Sequence, residues 1–322
     1  VRAAVIDIGT NSTRLLIADV LSDGGVVEIV RRSIVTRLGA GVDAGGELSE
    51  EGCERVLSAL SGFREEIDAH EPPAGEPYPN LAVMTSAVRD AHNGRQFAER
   101  VRGECDLDAR ILTGEEEARM TFLGAMSGRP SAVEPTVVVD IGGGSTEFIV
   151  GVGKTAGFHV SLPAGVVRMS ERHIHGDPPQ SADLQALAAD TRAVYLAGLP
   201  AQERAPVRRG IAVAGTATSA AAIDQELDPY DPERVHGYPL LLATVEMLLA
   251  RLADMDEAQR RVVVGLDPNR APTIVAGMVL LSEALRAFDL EAVEVSEHDI
   301  LHGGALSIVG YNNSGSHGSS DI

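Results

Sequence analysis

The chain of 322 residues has no tryptophan, a single lysine (Lys154) and two cysteines, Cys53 and Cys105. Each shortage excludes something. Two cysteines cannot build a disulfide framework, and the pattern fits a cytoplasmic, reducing location. No apolar run is long enough to span a bilayer. The first strand opens at once and carries Asp7, so no signal peptide is expected, and no membrane partner. The formal net charge of −20 disfavours a nucleic-acid partner, because nonspecific binding to a polyanion wants a basic surface. With lysine nearly absent, an anion clamp must be built from arginine, whose guanidinium fork suits phosphate oxygens. Hydrophobic residues still make up 44% of the chain. That is enough for large cores, and the length suggests two domains.

What is present is one phrase stated twice. Val5-Ile6-Asp7-Ile8-Gly9-Thr10-Asn11-Ser12-Thr13-Arg14-Leu15-Leu16-Ile17 is matched by Val138-Val139-Asp140-Ile141-Gly142-Gly143-Gly144-Ser145-Thr146-Glu147-Phe148-Ile149-Val150. Each copy is an apolar run ending in Asp, a glycine-hydroxyl turn, and a second apolar run, which predicts strand, tight turn, strand. Glycines let a backbone approach a ligand closely, and their N–H groups can converge on an anion. One such hairpin is usually only a turn. Repetition of the whole phrase is what argues for phosphate binding.

Further strands are predicted near Val26–Leu38, at Leu81–Met84 and at Ala109–Leu112. Ser49 caps a helix with Cys53, Val56, Leu57, Leu60, Phe63 and Ile67 on one face. Pro130–Pro135 reads as the crossing between domains 1–128 and 129–310. In the second domain, helices are predicted at Ser181–Gly198, Pro239–Ala253 and Pro272–Phe288, and strands at Gly210–Ala214 and Ala292–Ser296. A final helix, about 299–310, is expected to pack back onto the first domain. The Gly/Ser-rich tail, 311–322, is expected to be disordered.

Three constellations could carry chemistry. Thr113 and Glu116 fit a capping box, which gives Glu116 a structural job. Glu117, next along, shares its helix side with Thr121 and Gly124, small residues that would leave room for a ligand. It could equally be a solvated residue at an acidic helix start. Arg89, in a small-residue turn after a strand, could hold a terminal phosphoryl group or form a surface ion pair. Asp7, Asp140 and Glu147 are the metal candidates, since magnesium takes oxygen ligands from one or two carboxylates plus substrate phosphates. A zinc site among His173, His175 and their neighbours lacks any cysteine or spaced pair to support it.

In order along the chain, DIGTNSTRLL, TSAVRDA, TGEEEAR and DIGGGSTEF resemble the exopolyphosphatase and guanosine pentaphosphate phosphohydrolase family, within the superfamily of actin, sugar kinases and heat-shock ATPases. The resemblance runs from Val5 to about Gly310. It implies an α/β fold of two actin-like (ribonuclease H-like) domains, each a mixed sheet with flanking helices, with a cleft between them. It implies magnesium-dependent release of terminal orthophosphate from inorganic polyphosphate, or from guanosine pentaphosphate, with manganese as a substitute metal and a homodimer as the expected assembly. Carried over, the catalytic glutamate falls on Glu117, the phosphate-holding arginine on Arg89, and the magnesium carboxylates on Asp140 and Glu147. The phosphate loops fall on Gly9, Thr10, Asn11, Ser12 and Arg14, and on Gly142, Gly143, Gly144, Ser145 and Thr146. Larger members continue into helical domains, which are not expected here, and Ile300-Leu301-His302-Gly303 stands where the family often has Leu-Arg-Glu-Gly.

The resemblance leaves open a kinase of the same superfamily, or a sensor of guanosine tetra- or pentaphosphate. Between substrates, a guanine base would gain from aromatic platforms, and the chain has only five tyrosines and six phenylalanines. Short inorganic polyphosphate is therefore the expected substrate, gripped by charges such as Arg31, Arg32, Arg168, Arg172 and His173.

Overall fold

The computed structural model describes residues 1–76, 78–129 and 134–315, without the side chains of 43, 44 and 311–315. Most of the expected crossing at Pro130–Pro135, and the tail from 316 onward, lie outside them. The chain divides into two compact units: Val1–Pro130 with Asp299–Ile322, and Ser131–His298.

The first unit is built on a five-stranded sheet. Its strands are β1 (Arg2–Ile8), β2 (Ser12–Val20), β3 (Val26–Val35), β4 (Asn80–Met84) and β5 (Ala109–Ile111), in the order β3-β2-β1-β4-β5. β1 pairs antiparallel with β2 and parallel with β4. This central position explains its composition: Ala3 to Ile8 are all buried, as expected for a strand covered on both faces. One cover is the helix Glu50–Ala69. Ser49 accepts from the Gly52 N–H at its start, and Cys53, Val56, Leu57, Leu60, Phe63 and Ile67 are buried along it, as the periodicity predicts.

On the other face, Val5, Leu16 and Ala18 pack against Leu301 and Ala305 of the helix Ile300–Gly315. This helix also crosses the helix Gly114–Ala125 with backbones touching: a Cβ at Gly124 would overlap the Asp299 carbonyl, and one at Gly303 the Met120 carbonyl. The Thr121–Gly124 side, expected to leave room for a ligand, is therefore filled by a helix. Where the family often shows arginine and glutamate, Leu301 and His302 are fully buried, and His302 Nε2 lies 3.1 Å from Glu28 Oε1.

The second unit repeats the plan with six strands: β6 (Thr136–Ile141), β7 (Thr146–Val152), β8 (Thr155–Leu162), β9 (Arg209–Val213), β10 (Pro239–Leu241) and β11 (Ala292–Val295). Their order is β10-β11-β9-β6-β7-β8. Apart from β10, this is the first sheet again, with β6, β7, β8, β9 and β11 in the places of β1 to β5. Pro239–Leu241, expected to begin a helix, instead pairs as an edge strand with β11, where a proline without an N–H is tolerated. The helix starts at Leu242. The apolar helix Ile274–Ala287 is buried along most of its length. Among the described residues no helix is long and apolar enough to cross a membrane.

Candidate active site

In the first unit the glycine turn Gly9–Ser12 is closed by the Gly9 N–H donating to Ser12 O at 3.0 Å. The segment after β3 runs behind it. Thr36 and Arg37 donate N–H bonds to Asn11 O (3.0 and 2.8 Å), and Gly39 donates to Thr10 O (2.8 Å). A peptide group is planar and trans, so a carbonyl tied backward turns the next residue's N–H forward. The Asn11 and Ser12 amides therefore face away from residues 36–39. Gly39 passes close behind the turn, where an added Cβ would meet first the Thr10 methyl.

Thr10 Oγ1 lies 3.1 Å from Ser86 Oγ, joining this turn to the short helix Ser86–Asp90. Arg89 sits on that helix rather than in a turn. Its Nη1 donates to Leu112 O (3.1 Å) and to Glu117 Oε2 (2.8 Å). Glu117 lies in the first turn of the next helix, its side chain 18% exposed. Its neighbour Glu116 is committed to the cap: Glu116 Oε2 accepts from the Thr113 N–H at 2.8 Å, and the Glu116 N–H returns to Thr113 Oγ1 at 3.2 Å. The Thr113 N–H, together with the Thr113 hydroxyl that donates to the same Oε2 at 2.9 Å, holds the Glu116 carboxyl below its usual range. Two adjacent glutamates thus divide, one to the fold and one to an arginine beside the phosphate-loop candidate.

Asp7 and Arg14 stand opposite each other across β1 and β2. Asp7 Oδ2 accepts from Arg14 Nε (3.0 Å) and Nη2 (2.6 Å), and Arg14 Nη1 donates to Asp299. Arg14, expected to hold phosphate, is thus shared between two buried carboxylates. Asp7 is 5% exposed, and burial raises its pKa with Arg14 only partly opposing. Its Oδ1 is buried and has no hydrogen-bond partner among the described residues, a donor atom of the kind a hard cation uses. Burial alone would raise Asp299 too, but Arg14, Arg31 and His302 hold it at about 2.

The second unit builds its turn the same way with different parts. Gly142 N–H donates to Ser145 O at 2.9 Å, and the helix Val166–His173 starts behind the loop. Its N–H groups bind the loop carbonyls: Val166 to Gly142 O (2.9 Å), Val167 to Gly143 O (2.9 Å) and Arg168 to Gly143 O (3.2 Å). Arg168 Nε adds a bond to Gly144 O at 2.9 Å. With three successive carbonyls tied back, the N–H groups of Gly143, Gly144 and Ser145 turn to the opposite side. None of the three has an acceptor among the described residues. Successive amides facing one way form a concavity for an anion. Gly165 permits the close approach, since a Cβ there would overlap the Gly143 backbone.

Asp140 and Glu147 oppose each other directly across β6 and β7. Glu147 Oε1 accepts from Ser145 Oγ (2.5 Å) and Ser161 Oγ (2.7 Å). Two carboxylates in register repel, and hard oxygen donors suit magnesium, so this pair fits a divalent cation. Thr146 corrects an expectation. It is fully buried, its hydroxyl donates to Ala164 O (2.5 Å) and accepts from Tyr195 OH (3.0 Å), and it belongs to the core instead of the phosphate loop.

The basic residues expected to grip a chain of phosphates are also engaged elsewhere. Arg32 binds Glu66, while Arg172 and His173 share Asp190. Sequence reasoning missed Gly39, Gly165 and the loop-holding bond of Arg168.

Comparison with known proteins gives the family. Residues 16–312 match the model of the Ppx/GppA phosphatase family. Exopolyphosphatase 2 of Mycobacterium tuberculosis is 36% identical over 324 residues, covering 96% of this chain and 99% of its own. Exopolyphosphatase 1 of Mycobacterium bovis is 29% identical, covering 91% and 84%. The crystal structure of the Aquifex aeolicus Ppx/GppA family member superposes with a TM-score of 0.83 at 30% identity, over 97% of this chain and 98% of that one. The repeated sheet, the doubled glycine turn and these relatives together show that the chain belongs to the Ppx/GppA phosphatase family, hydrolases of actin-like fold.

Proposed function

We propose that the protein is an exopolyphosphatase, releasing terminal orthophosphate from inorganic polyphosphate. The observation that carries this reading is the second-unit loop, where the amides of Gly143, Gly144 and Ser145 face one way with no acceptor among the described residues. Such a loop recognises phosphate oxygens and nothing more particular.

Glu117 orients and deprotonates the attacking water, a contribution of about 10²–10⁴-fold for a general base. Its bond to Arg89 fixes the carboxylate. Arg89 offers guanidinium donors to the phosphoryl oxygens, where charge spreads through a loose transition state. The loop amides of the second unit offer fixed N–H donors to phosphate oxygens. Asp140 and Glu147 hold a divalent cation, magnesium or manganese, which when bound neutralises phosphate oxygens. Asp7 Oδ1 is the donor candidate of the first unit.

Burial of five of the six phenylalanines and of Tyr195 favours polyphosphate over guanosine pentaphosphate, with Tyr230 the one exposed phenylalanine or tyrosine among the described residues. Phe63, Phe97, Phe122, Phe148, Phe288 and Tyr195 all lie in the cores, so they give a guanine no platform to stack on. The test is phosphate release from tripolyphosphate and guanosine pentaphosphate side by side, with magnesium varied. Tripolyphosphate should show the higher kcat/KM. A higher value for guanosine pentaphosphate reverses the substrate choice. Binding of either without phosphate release would indicate a sensor instead.

A further inference from the structure

We propose that Arg168 is a positioning residue that sets the phosphate loop of the second unit. The inference rests on the phosphate-binding reading above and deepens it. The loop Gly142-Gly143-Gly144 has little conformational preference of its own, because glycine tolerates most backbone angles. Its shape must be imposed from behind. The first two carbonyls are held by backbone amides of the helix Val166–His173. The third, Gly144 O, is reached by the Arg168 side chain through Nε at 2.9 Å. The same residue's backbone N–H holds Gly143 O, so Arg168 anchors two consecutive peptides.

The first unit shows what this replaces. There the matching carbonyl, Asn11 O, is held by two backbone amides, Thr36 and Arg37. In the second unit a side chain does the same task, so the direction of the Ser145 N–H depends on a removable group. If the Gly144–Ser145 peptide turned over, it would present a carbonyl oxygen to the phosphate where an N–H should be. Guanidinium suits the role, since it stays charged and its donors sit in a rigid plane.

The test is steady-state hydrolysis of tripolyphosphate by Arg168→Gln, Arg168→Lys and Arg168→Met. A hydrogen bond to a charged group is lost in ground state and transition state alike, so KM should rise roughly 10- to 100-fold. The kcat value should fall much less. Arg168→Lys should recover part of the loss. Arg172→Gln, one helical turn along with its guanidinium on Asp190, should keep the wild-type KM. A wild-type KM in Arg168→Gln overturns the proposal, whatever happens to the melting temperature. If that variant folds poorly, Arg168→Met, which keeps the aliphatic packing, decides by the same criterion. Wild-type protein that releases no phosphate from tripolyphosphate would instead overturn the exopolyphosphatase reading, and this inference with it.

Discussion

The two hairpins differ most at one matched pair of positions. In the first, Asp7 faces Arg14; in the second, Asp140 faces Glu147. The first pair is an acid and a base, drawn together and extended to Asp299. It holds the sheet to the helix that returns from the far end of the chain. The second pair is acid against acid, and Glu147 is steadied by the hydroxyls of Ser145 and Ser161. A like-charged pair costs stability, and a cation would relieve that cost. One copy of the repeat has thus turned its matched pair toward structure, while the other keeps a pair suited to a metal.

The largest effect that separates structure from chemistry lies beside the first hairpin. Glu117→Gln should lower kcat by about 10²–10⁴-fold while leaving binding of tripolyphosphate near wild type. Glu116→Gln, one residue away, should leave kcat unchanged and change stability only slightly, because a glutamine oxygen still accepts from the Thr113 N–H. Parallel turnover and urea-unfolding measurements check both. Equal losses of kcat in the two variants would remove the distinction between the glutamates.

Asp299→Asn tests the structural pair. Breaking a buried ion pair from one side costs about 3–5 kcal/mol; Arg14 keeps Asp7, so the low end is expected. Asp299 is 3% exposed with its pKa held at about 2, below the ordinary carboxyl value of 3.8. A depressed carboxyl contributes stability in full above its unfolded value and loses it as pH falls through the folded one. Urea midpoints of wild type and variant should therefore differ at neutral pH and converge as pH falls toward 2. Glu147→Gln tests the other pair. It should weaken the magnesium response at least as much as the loss of an outer partner does, about 10–100-fold, with stability unchanged or raised. An unchanged magnesium titration would place the metal elsewhere.

Much of this was legible in the sequence where the signal is local. The two hairpins, the Ser49 cap, the apolar face from Cys53 to Ile67 and the Thr113–Glu116 capping box all follow from spacing within a few residues. Thr146 was readable as well: on β7 it shares a face with Phe148 and Val150, which are buried, whereas Glu147 points the other way. The motif outweighed the alternation. Arg14 could not be read, because its partner Asp299 is 285 residues away. Nor could the role of Gly124, since a small residue opens space for a ligand and for a crossing helix alike. Gly39, Gly165 and the loop-holding role of Arg168, an arginine expected to grip phosphate directly, were missed for the same reason. Each acts on a loop more than twenty residues earlier, and nothing in their own neighbourhood marks them.

The smallest effect sharpens the comparison at the back of the two turns. Gly39→Ala and Gly165→Ala each place a methyl behind a phosphate-loop candidate, but what they meet differs. At Gly39 the added carbon meets first the Thr10 methyl, a side-chain group that can rotate away. At Gly165 it meets the backbone of Gly143 and Gly144, which cannot move without shifting the amides that would face the phosphate. Overpacking typically costs about 1–3 kcal/mol, and both variants should lose stability within or below that range. Their kinetics should part: Gly39→Ala should keep a KM for tripolyphosphate within about threefold of wild type, and Gly165→Ala should raise it by about tenfold, near the lower limit for one hydrogen bond to a charged group. Equal KM values in two folded variants would mean that the second loop tolerates displacement and that its amide geometry does not set phosphate affinity.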